Sequence, residues 1–520
     1  MNFCYRTVLT LLASSAIGLS QSSWVQSARV DELRDKLGAA APDGSGVRVV
    51  QSEAQGFEGA SAFYPQAGSG TFAGQNLGNQ GSITRNYLGV NFTAQSGGQD
   101  TAQHAQQVAR RFYERTEGIA PGITEVSLYN ASGYIDWQGS RIADDEGRVH
   151  NSSWIAGGNI QGFIDNADQA ALDRGFIHCI GLNNGTGAIP GLFGHCYNTI
   201  AVGRKDGFHS RGTTTSDFTG EGRMKPDIVG FSNATSFATP EVSAVSALLY
   251  QTVDENSSLS AANDPNVIRA IILAGADKDF NANWAREDST QPYDPIFGAG
   301  LLDAYRSYEI LSGGSNPPSE TDFQPTHGWA ALNSLETRRF LFEVPERSFG
   351  DQFSVVLSWF RAQDGRDGLR NSLDLILQKK NDQGQWIEFE RSDSSVDNVE
   401  HLFQRNLSPG EYRLEIPAVT YEEGVFFTTT RGFDFSLAWR LELGIGPKLE
   451  VTADGDLMAK NLDPRASYTI ESSSALDATT WQQAASLPAG ARRDALVDIP
   501  SSSGTPVFYR IRWSAPPSLP

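Results

Sequence analysis

Hydrophobic residues between positions 44 and 311 alternate between short β-branched runs and longer segments with helical spacing. This alternation is typical of crossover units, in which helices cover both faces of a parallel sheet. The pattern therefore predicts an α/β domain. The clearest predicted strands cover residues 47–50, 148–151, 176–182 and 199–202, and the clearest helices cover residues 104–115, 236–250 and 267–274.

The period of the pattern changes to two after residues 313–320 (GGSNPPSE), whose composition predicts an interdomain linker. Alternating strands over residues 321–443 predict an antiparallel β-sandwich, and a break at Gly444 precedes a small β-domain over residues 444–520. The strands predicted in these two domains cover residues 339–344, 353–360, 373–377, 399–403, 412–416, 433–439, 449–452, 468–471 and 507–513.

The first 28 residues have the layout of a secretory signal peptide: Arg6, an apolar stretch over residues 7–19, then small polar residues. We expect export to the periplasm or the extracellular space, with residues 29–312 as the mature α/β domain. The alternative is a buried N-terminal helix. Since no later stretch approaches the roughly 20 apolar residues of a spanning helix, no membrane span is expected.

Composition narrows the choice of partners. The 520 residues carry 41 basic and 61 acidic side chains, a net charge of −20, which repels phosphate backbones and argues against nucleic-acid binding. Cys4 lies in the predicted leader. Cys179 and Cys196 could pair in a disulfide in an oxidising compartment, or remain small buried hydrophobes.

The most informative stretch is residues 233–240 (NATSFATP), which places Ser236 at the start of an apolar helix. Small neighbours allow close backbone approach, and the positive end of the helix dipole favours negative charge developing at this serine. A serine nucleophile also needs a base and an acid that orients the base. Among seven histidines, His104 opens a helical run, whereas His327 and His401 lie outside the α/β domain.

These motifs, in this order, resemble the subtilisin-like serine proteases, the subtilases. The family's G-T-S-M/F-A-x-P motif matches residues 234–240 (ATSFATP), and residues 104–109 (HAQQVA) match its H-G-T-H-V-A motif in outline. Residues 118–122 (GIAPG) and 182–185 (LNNG) are close to its G-V-A-P-G and G-N-x-G motifs. The matches run from residue 44 to about 311, and they imply a subtilisin-like parallel sheet sandwiched by helices.

The resemblance implies that Ser236 is the nucleophile, His104 the general base and Asn183 the side-chain donor of an oxyanion hole. The acid departs from the family pattern, because residues 46–53 (GVRVVQSE) have Glu53 where subtilases have aspartate. A glutamate can still accept the imidazole N–H, but its extra methylene moves the carboxylate by about one bond length. The implied activity is that of a secreted serine endopeptidase with a Glu-His-Ser triad.

Residues 149–154 resemble the strand that lines the subtilase substrate cleft, which implies that Ser152, Ser153 and Trp154 bind the substrate, a protein or peptide. Acyl transfer requires no cofactor and no metal. Calcium could stabilise the fold, as in many subtilases. An acidic cluster in the sandwich is the candidate calcium site, and the alternative is that this cluster is a solvated loop. The carboxylates of that cluster are Asp393, Asp397 and Glu400.

The sandwich looks like the jelly-roll modules appended to secreted proteases, such as the P domain of proprotein convertases and pre-peptidase C-terminal domains. The competing function is a catalytically silent surface or binding protein on a subtilase scaffold. This alternative is motivated by Glu53 and by the two residues that follow His104, which are Ala105 and Gln106. An esterase of the α/β-hydrolase kind fits poorly, because no G-x-S-x-G elbow surrounds Ser236.

Overall fold

The structure, a computed structural model, describes most of the chain from residue 23 onward. The described residues are 23–54, 62–65, 84–87, 90–94, 100–140, 147–156, 161–215, 221–346, 348–361, 373–418, 434–445, 447–452, 456–460, 462, 467–474, 480–488, 495–497 and 507–513.

The first domain is built on an eight-stranded sheet, of which seven neighbouring strands are parallel and one edge strand is antiparallel. This confirms the predicted α/β class. Its strands are β1 (Arg48–Glu53), β2 (Ala62–Pro65), β3 (Thr84–Tyr87), β4 (Val90–Ala94), β5 (Asp100–Ala102), β6 (Glu125–Asn130), β7 (Val149–Ser152), β8 (Ile177–Gly181), β9 (Thr199–Arg204), β10 (Gly212–Thr213), β11 (Met224–Lys225) and β12 (Ile228–Gly230). The order in the main sheet is β12-β9-β8-β7-β1-β6-β4-β3.

Helices cover the sheet, and the helix that carries Ser236 is buried at 16 of its 21 positions. Gly230 at the end of β12 permits its close approach, because a Cβ there would lie 2.7 Å from that of Ala238. The helices are α1 (Ser23–Ser27), α2 (Val30–Leu37), α3 (Gln103–Phe112), α4 (Ala131–Ser140), α5 (Gln161–Arg174), α6 (Thr235–Glu255), α7 (Pro265–Gly275) and α8 (Ala304–Ser312), with 3₁₀ turns at Gly38–Ala40, Phe193–His195 and Ser257–Asn263.

Residues 23–28 of the predicted leader pack into the first domain. Val25 and Ala28 are buried in its core, and the Trp24 indole N–H donates to the Glu117 carbonyl at 2.8 Å. The Ala304 N–H donates to the Ala28 carbonyl at 2.9 Å. A cut after Ala28 would remove these contacts.

Two sheets follow, antiparallel except for the parallel pair β13–β15, and they enclose an apolar core that includes Trp359 and Trp439. They have the orders β13-β15-β20-β17-β18 and β14-β21-β16-β19, as expected for a β-sandwich. Their strands are β13 (Ser319–Phe323), β14 (His327–Asn333), β15 (Arg338–Val344), β16 (Ser348–Ser358), β17 (Leu375–Lys380), β18 (Trp386–Ser392), β19 (Val399–Leu407), β20 (Gly410–Ile416) and β21 (Asp434–Ile445).

The last domain has its own small core around Tyr468 and Ile470. Two three-stranded antiparallel sheets form it, with the orders β22-β23-β26 and β25-β24-β27. Its strands are β22 (Lys448–Val451), β23 (Leu457–Lys460), β24 (Tyr468–Ser473), β25 (Gln482–Leu487), β26 (Ala495–Leu496) and β27 (Phe508–Trp513).

Helix α7 of the first domain packs directly against the sandwich. The Asn266 amide donates to the Ser358 carbonyl at 2.9 Å, and Lys278 Nζ donates to Ser354 Oγ at 2.9 Å and to the Ala276 carbonyl at 2.8 Å. Lys278 is fully buried, and burial holds the pKa of its ammonium well below the usual range. Buried polar side chains that bond across the boundary make the two domains one packed unit.

Cys179 and Cys196 are both buried and both free, so the disulfide is not formed here. Burial raises the pKa of the Cys179 thiol to about 12, which keeps it neutral and unreactive. The alternative of two small buried hydrophobes therefore describes them. Within the described part of the chain, no helix has the length and apolar character needed to span a bilayer.

Candidate active site

Glu53 and His104, the predicted acid and base, are in direct contact. Glu53 is the last residue of β1, and its Oε2 lies 2.7 Å from Nδ1 of His104, the second residue of α3. The carboxylate is 1% exposed and the imidazole 40% exposed. The buried acid therefore bonds one ring nitrogen of a base that keeps an accessible surface, and the longer side chain does not prevent the contact.

The second oxygen of Glu53 is held by Gln51, two residues earlier on β1. Gln51 Nε2 donates to Glu53 Oε1 at 2.8 Å and to the Ala105 carbonyl at 3.1 Å, and its Oε1 accepts from the Tyr113 hydroxyl at 2.5 Å. Burial, and then the charge of Glu53, raise the pKa of Tyr113 well above its usual range, so it remains a donor. This support fixes the carboxylate before any substrate arrives.

Ser236 is the second residue of α6 and is half-buried, next to the ring of Phe237. The Phe237 ring stacks on the His104 imidazole, with centroids 5.8 Å apart and planes 28° apart. The start of the nucleophile helix therefore lies beside the base. Pro240 lies inside α6, and because it has no N–H it leaves the Ser236 carbonyl without its usual helical donor.

The candidate oxyanion donor Asn183 lies two residues beyond the end of β8, beside the start of α6. At Gly181 a Cβ would be 3.7 Å from the Ser236 backbone nitrogen, which shows how closely strand and helix approach. Asn183 is exposed, and its carbonyl accepts from the Ser210 N–H at 3.1 Å. Its amide is therefore carried on an anchored backbone.

Asn184 has a structural task that the motif alone did not reveal. Its Oδ1 accepts from the Thr235 N–H at 2.9 Å and from the Thr235 hydroxyl at 3.3 Å. The Thr235 N–H is one of the donors that a helix start leaves unpaired, so Asn184 caps α6 from the neighbouring loop. This bond ties the loop of Asn183 to the residue before Ser236.

The side chains of Ser152, Ser153 and Trp154 point into the domain and are buried. Ser152 Oγ lies 2.9 Å from Nε2 of His178, whose pKa burial lowers to about 3, and the Trp154 indole donates to Ser52 Oγ at 2.9 Å. These side chains are engaged internally. A peptide lying on this strand would meet its backbone groups.

A buried carboxylate, Glu241, lies one turn after Ser236 on α6. It accepts from the N–H groups of Phe231 at 2.6 Å and Ser232 at 3.4 Å, and from the Ser232 hydroxyl at 2.5 Å. Burial raises its pKa to about 7, although these bonds oppose the shift. Glu241 therefore anchors the loop that enters the nucleophile helix.

The acidic cluster in the sandwich is largely used for internal hydrogen bonds. Asp397 accepts from the Met224 N–H at 3.0 Å and the Ser394 hydroxyl at 2.8 Å, and Glu400 accepts from Ser392. Burial raises the pKa of Asp397 to about 6 and that of Glu400 well above its usual range. Among the residues that are described, no group of three or more histidine, cysteine or acidic side chains is arranged to hold a metal ion.

A comparison with known families matches part of the first domain. The model of the subtilase family (Peptidase_S8) matches residues 118–300. The matched range includes Ser236 and Asn183, and Glu53 and His104 precede it. The parallel sheet and its helices agree with the subtilisin-like fold of that family.

Solved structures with detectable similarity are distant. Tripeptidyl peptidase 2 is 12% identical, with a TM-score of 0.30, over 72% of this chain and 44% of that one. The PatG macrocyclase domain is 13% identical (TM-score 0.34; 55% of this chain, 96% of that one). The serine protease MycP1, a component of the type VII (ESX-1) secretion system, is 14% identical (TM-score 0.33; 55% and 90%).

This chain thus spans less than half of the length of tripeptidyl peptidase 2. A search of the curated proteins found no match.

Proposed function

We propose that the chain is an exported serine endopeptidase that hydrolyses peptide bonds with Glu53, His104 and Ser236. The observation that carries the proposal is the 2.7 Å contact between the buried Glu53 carboxylate and Nδ1 of His104. An acid bound to Nδ1 fixes the tautomer that leaves Nε2 free to accept a proton, which is the arrangement a hydroxyl nucleophile needs.

In this mechanism Ser236 Oγ attacks the peptide carbonyl carbon while its proton passes to His104 Nε2. The tetrahedral oxyanion accepts hydrogen bonds from the Asn183 amide and the Ser236 N–H. His104 then protonates the leaving amine as the C–N bond breaks. Water attacks the acyl-enzyme by the same route, giving up its proton to His104, which returns it to Ser236 as the acid product leaves.

Labelling with a fluorophosphonate probe, followed by peptide mapping, tests this function. The probe should modify Ser236 of the wild-type chain, and modification should disappear in His104→Ala. Hydrolysis of a protein substrate such as casein should follow the same pattern. A folded wild-type chain that is neither labelled nor able to cleave casein would favour a silent scaffold that acts by binding.

A further inference from the structure

Four side chains from three helices form a continuous stack that ends on the catalytic base. Trp24 of α1 faces the Arg111 guanidinium, whose central carbon lies 4.7 Å from the Trp24 ring centre and 4.2 Å from the Phe237 ring centre. The Phe237 ring in turn stacks on the His104 imidazole. One guanidinium therefore lies between Trp24 and Phe237, the residue after Ser236.

Arg111 also forms polar contacts on both sides of the site. Its Nε donates to Ser232 Oγ at 3.2 Å, and Ser232 is held by the buried Glu241. Its Nη1 donates to the Gln107 carbonyl at 3.0 Å, within the helix that carries His104. Arg111 thus connects helix α3, which presents the base, to the loop that leads into the nucleophile helix.

We propose that Arg111 is a positioning residue: it fixes the Phe237 ring, and through that ring the His104 imidazole, relative to Ser236. This inference rests on the proposed function and names a residue of the same site. A planar guanidinium suits the task, because it can stack on two aromatic rings while its edge donates to a hydroxyl. The reacting atoms must stay in near-contact geometry, and a misplacement of about 1 Å costs about 100-fold in rate.

Trp24 forms the outer end of the stack. Trp24 lies within the predicted leader, yet it packs against both Arg111 and Arg110. A chain that begins at Arg29 would lose this face of the stack. The contacts of Arg111 with Phe237, Ser232 and Gln107 do not involve Trp24, and the proposal rests on those contacts.

Arg110 provides a matched control. It is the same residue type on the same helix, and it pairs with Glu117 and faces Trp24 at 5.7 Å. Arg111→Met should lower the inactivation rate constant for the fluorophosphonate by about 10-fold to about 100-fold, with the probe's Ki within about 2-fold. Arg110→Met should leave both constants within about 2-fold. Arg111→Lys, which keeps a cation over the ring but loses the Nε donor, should fall between wild type and Arg111→Met.

A second measurement reads the imidazole directly. In protein labelled with ¹³C-histidine, the His104 Cε1–H resonance, assigned by its loss in His104→Ala, reports the ring current of Phe237. It should shift in Arg111→Met and stay in place in Arg110→Met. If Arg111→Met does not fold, Arg111→Lys carries the same test.

Unchanged inactivation and an unchanged resonance in Arg111→Met would overturn the proposal, as would slower inactivation with an unchanged resonance. If the wild-type chain is not labelled at all, the proposed function fails. The resonance then decides by itself whether Arg111 positions the imidazole.

Discussion

The Glu53 carboxylate bonds His104 Nδ1 at 2.7 Å although it ends one methylene further from its backbone than an aspartate would. Glu53 is the final residue of β1, and its other oxygen is fixed by Gln51 from the same strand. The longer side chain therefore still reaches the His104 ring, and each of its two carboxylate oxygens has a hydrogen-bond partner. This relationship is the structural basis for treating the departure from the aspartate pattern as compatible with catalysis.

Asn183 should be needed for turnover more than for folding. Asn183→Ala should lower kcat by about 100-fold to about 1,000-fold with little change in KM, because an oxyanion donor acts mainly in the transition state. Steady-state hydrolysis of a peptide substrate measures this.

Asn184→Ala serves as the comparison for that experiment. It removes the cap on the Thr235 N–H and should lower the free energy of unfolding by about 1 kcal/mol. An Asn183→Ala enzyme with wild-type kcat would remove this residue from the proposed oxyanion hole.

Glu241 should make stability depend on pH in a defined direction. Its folded pKa of about 7 lies above the ordinary value of 4.5, so its contribution is full below pH 4.5 and is lost as pH rises through 7. Glu241→Gln cannot ionise, and it keeps one donor and one acceptor for Ser232 and Phe231. Urea unfolding at pH 5 and pH 8 should show the variant gaining stability relative to wild type, by up to about 3 kcal/mol.

The opposite result, in which Glu241→Gln loses stability relative to wild type between pH 5 and pH 8, would mean that the pKa of the Glu241 carboxyl in the folded protein lies below its ordinary value. Glu450→Gln is a suitable control, since this carboxylate pairs with Lys448 and Lys460 at the surface of the last domain. Its difference from wild type should hardly change between the two pH values.

Removing the sandwich should unfold or aggregate the first domain. A chain that ends at residue 312 loses Ser358 and Ser354, the sandwich partners of Asn266 and Lys278, and exposes the face of α7 that packs on β16 and β21. A chain that ends at residue 445 loses only the last domain and its separate core. Thermal unfolding should show a native-like Tm for the longer chain and a collapsed or absent transition for the shorter one. A stable chain of residues 23–312 would contradict this.

Much of the fold could be predicted from local pattern. The sequence pattern predicts strand β9 from Thr199, where the strand begins. It predicts a helix over residues 267–274, and the observed helix α7 begins two residues earlier, at Pro265, with Asp264 as its cap. The sandwich strands β13, β14 and β18 were not predicted. In β14, for example, polar and apolar residues do not alternate along the length of the strand. Periodicity detects elements whose burial is regular, and it fails where burial is set by a neighbouring domain.

The candidate site was only partly predictable. Short motifs identified Ser236 and His104, because their spacing to flanking residues is local. Gln51 could have been found from its place on the same face of β1 as Glu53, two residues apart. Arg111 and Trp24 could not, since their roles depend on contacts between residues far apart in the chain.

The most direct test of the account is the rate of peptide hydrolysis by Glu53→Gln. Because an amide at this position can donate to Nδ1 and favour the wrong tautomer, kcat should fall by about 10⁴-fold while the fold is retained. Glu114→Gln is the control: this buried carboxylate bonds Thr116 and the Glu117 N–H in the loop after α3, and its loss should leave kcat near that of wild type. A Glu53→Gln enzyme that keeps wild-type turnover would contradict the claim that Glu53 steers His104.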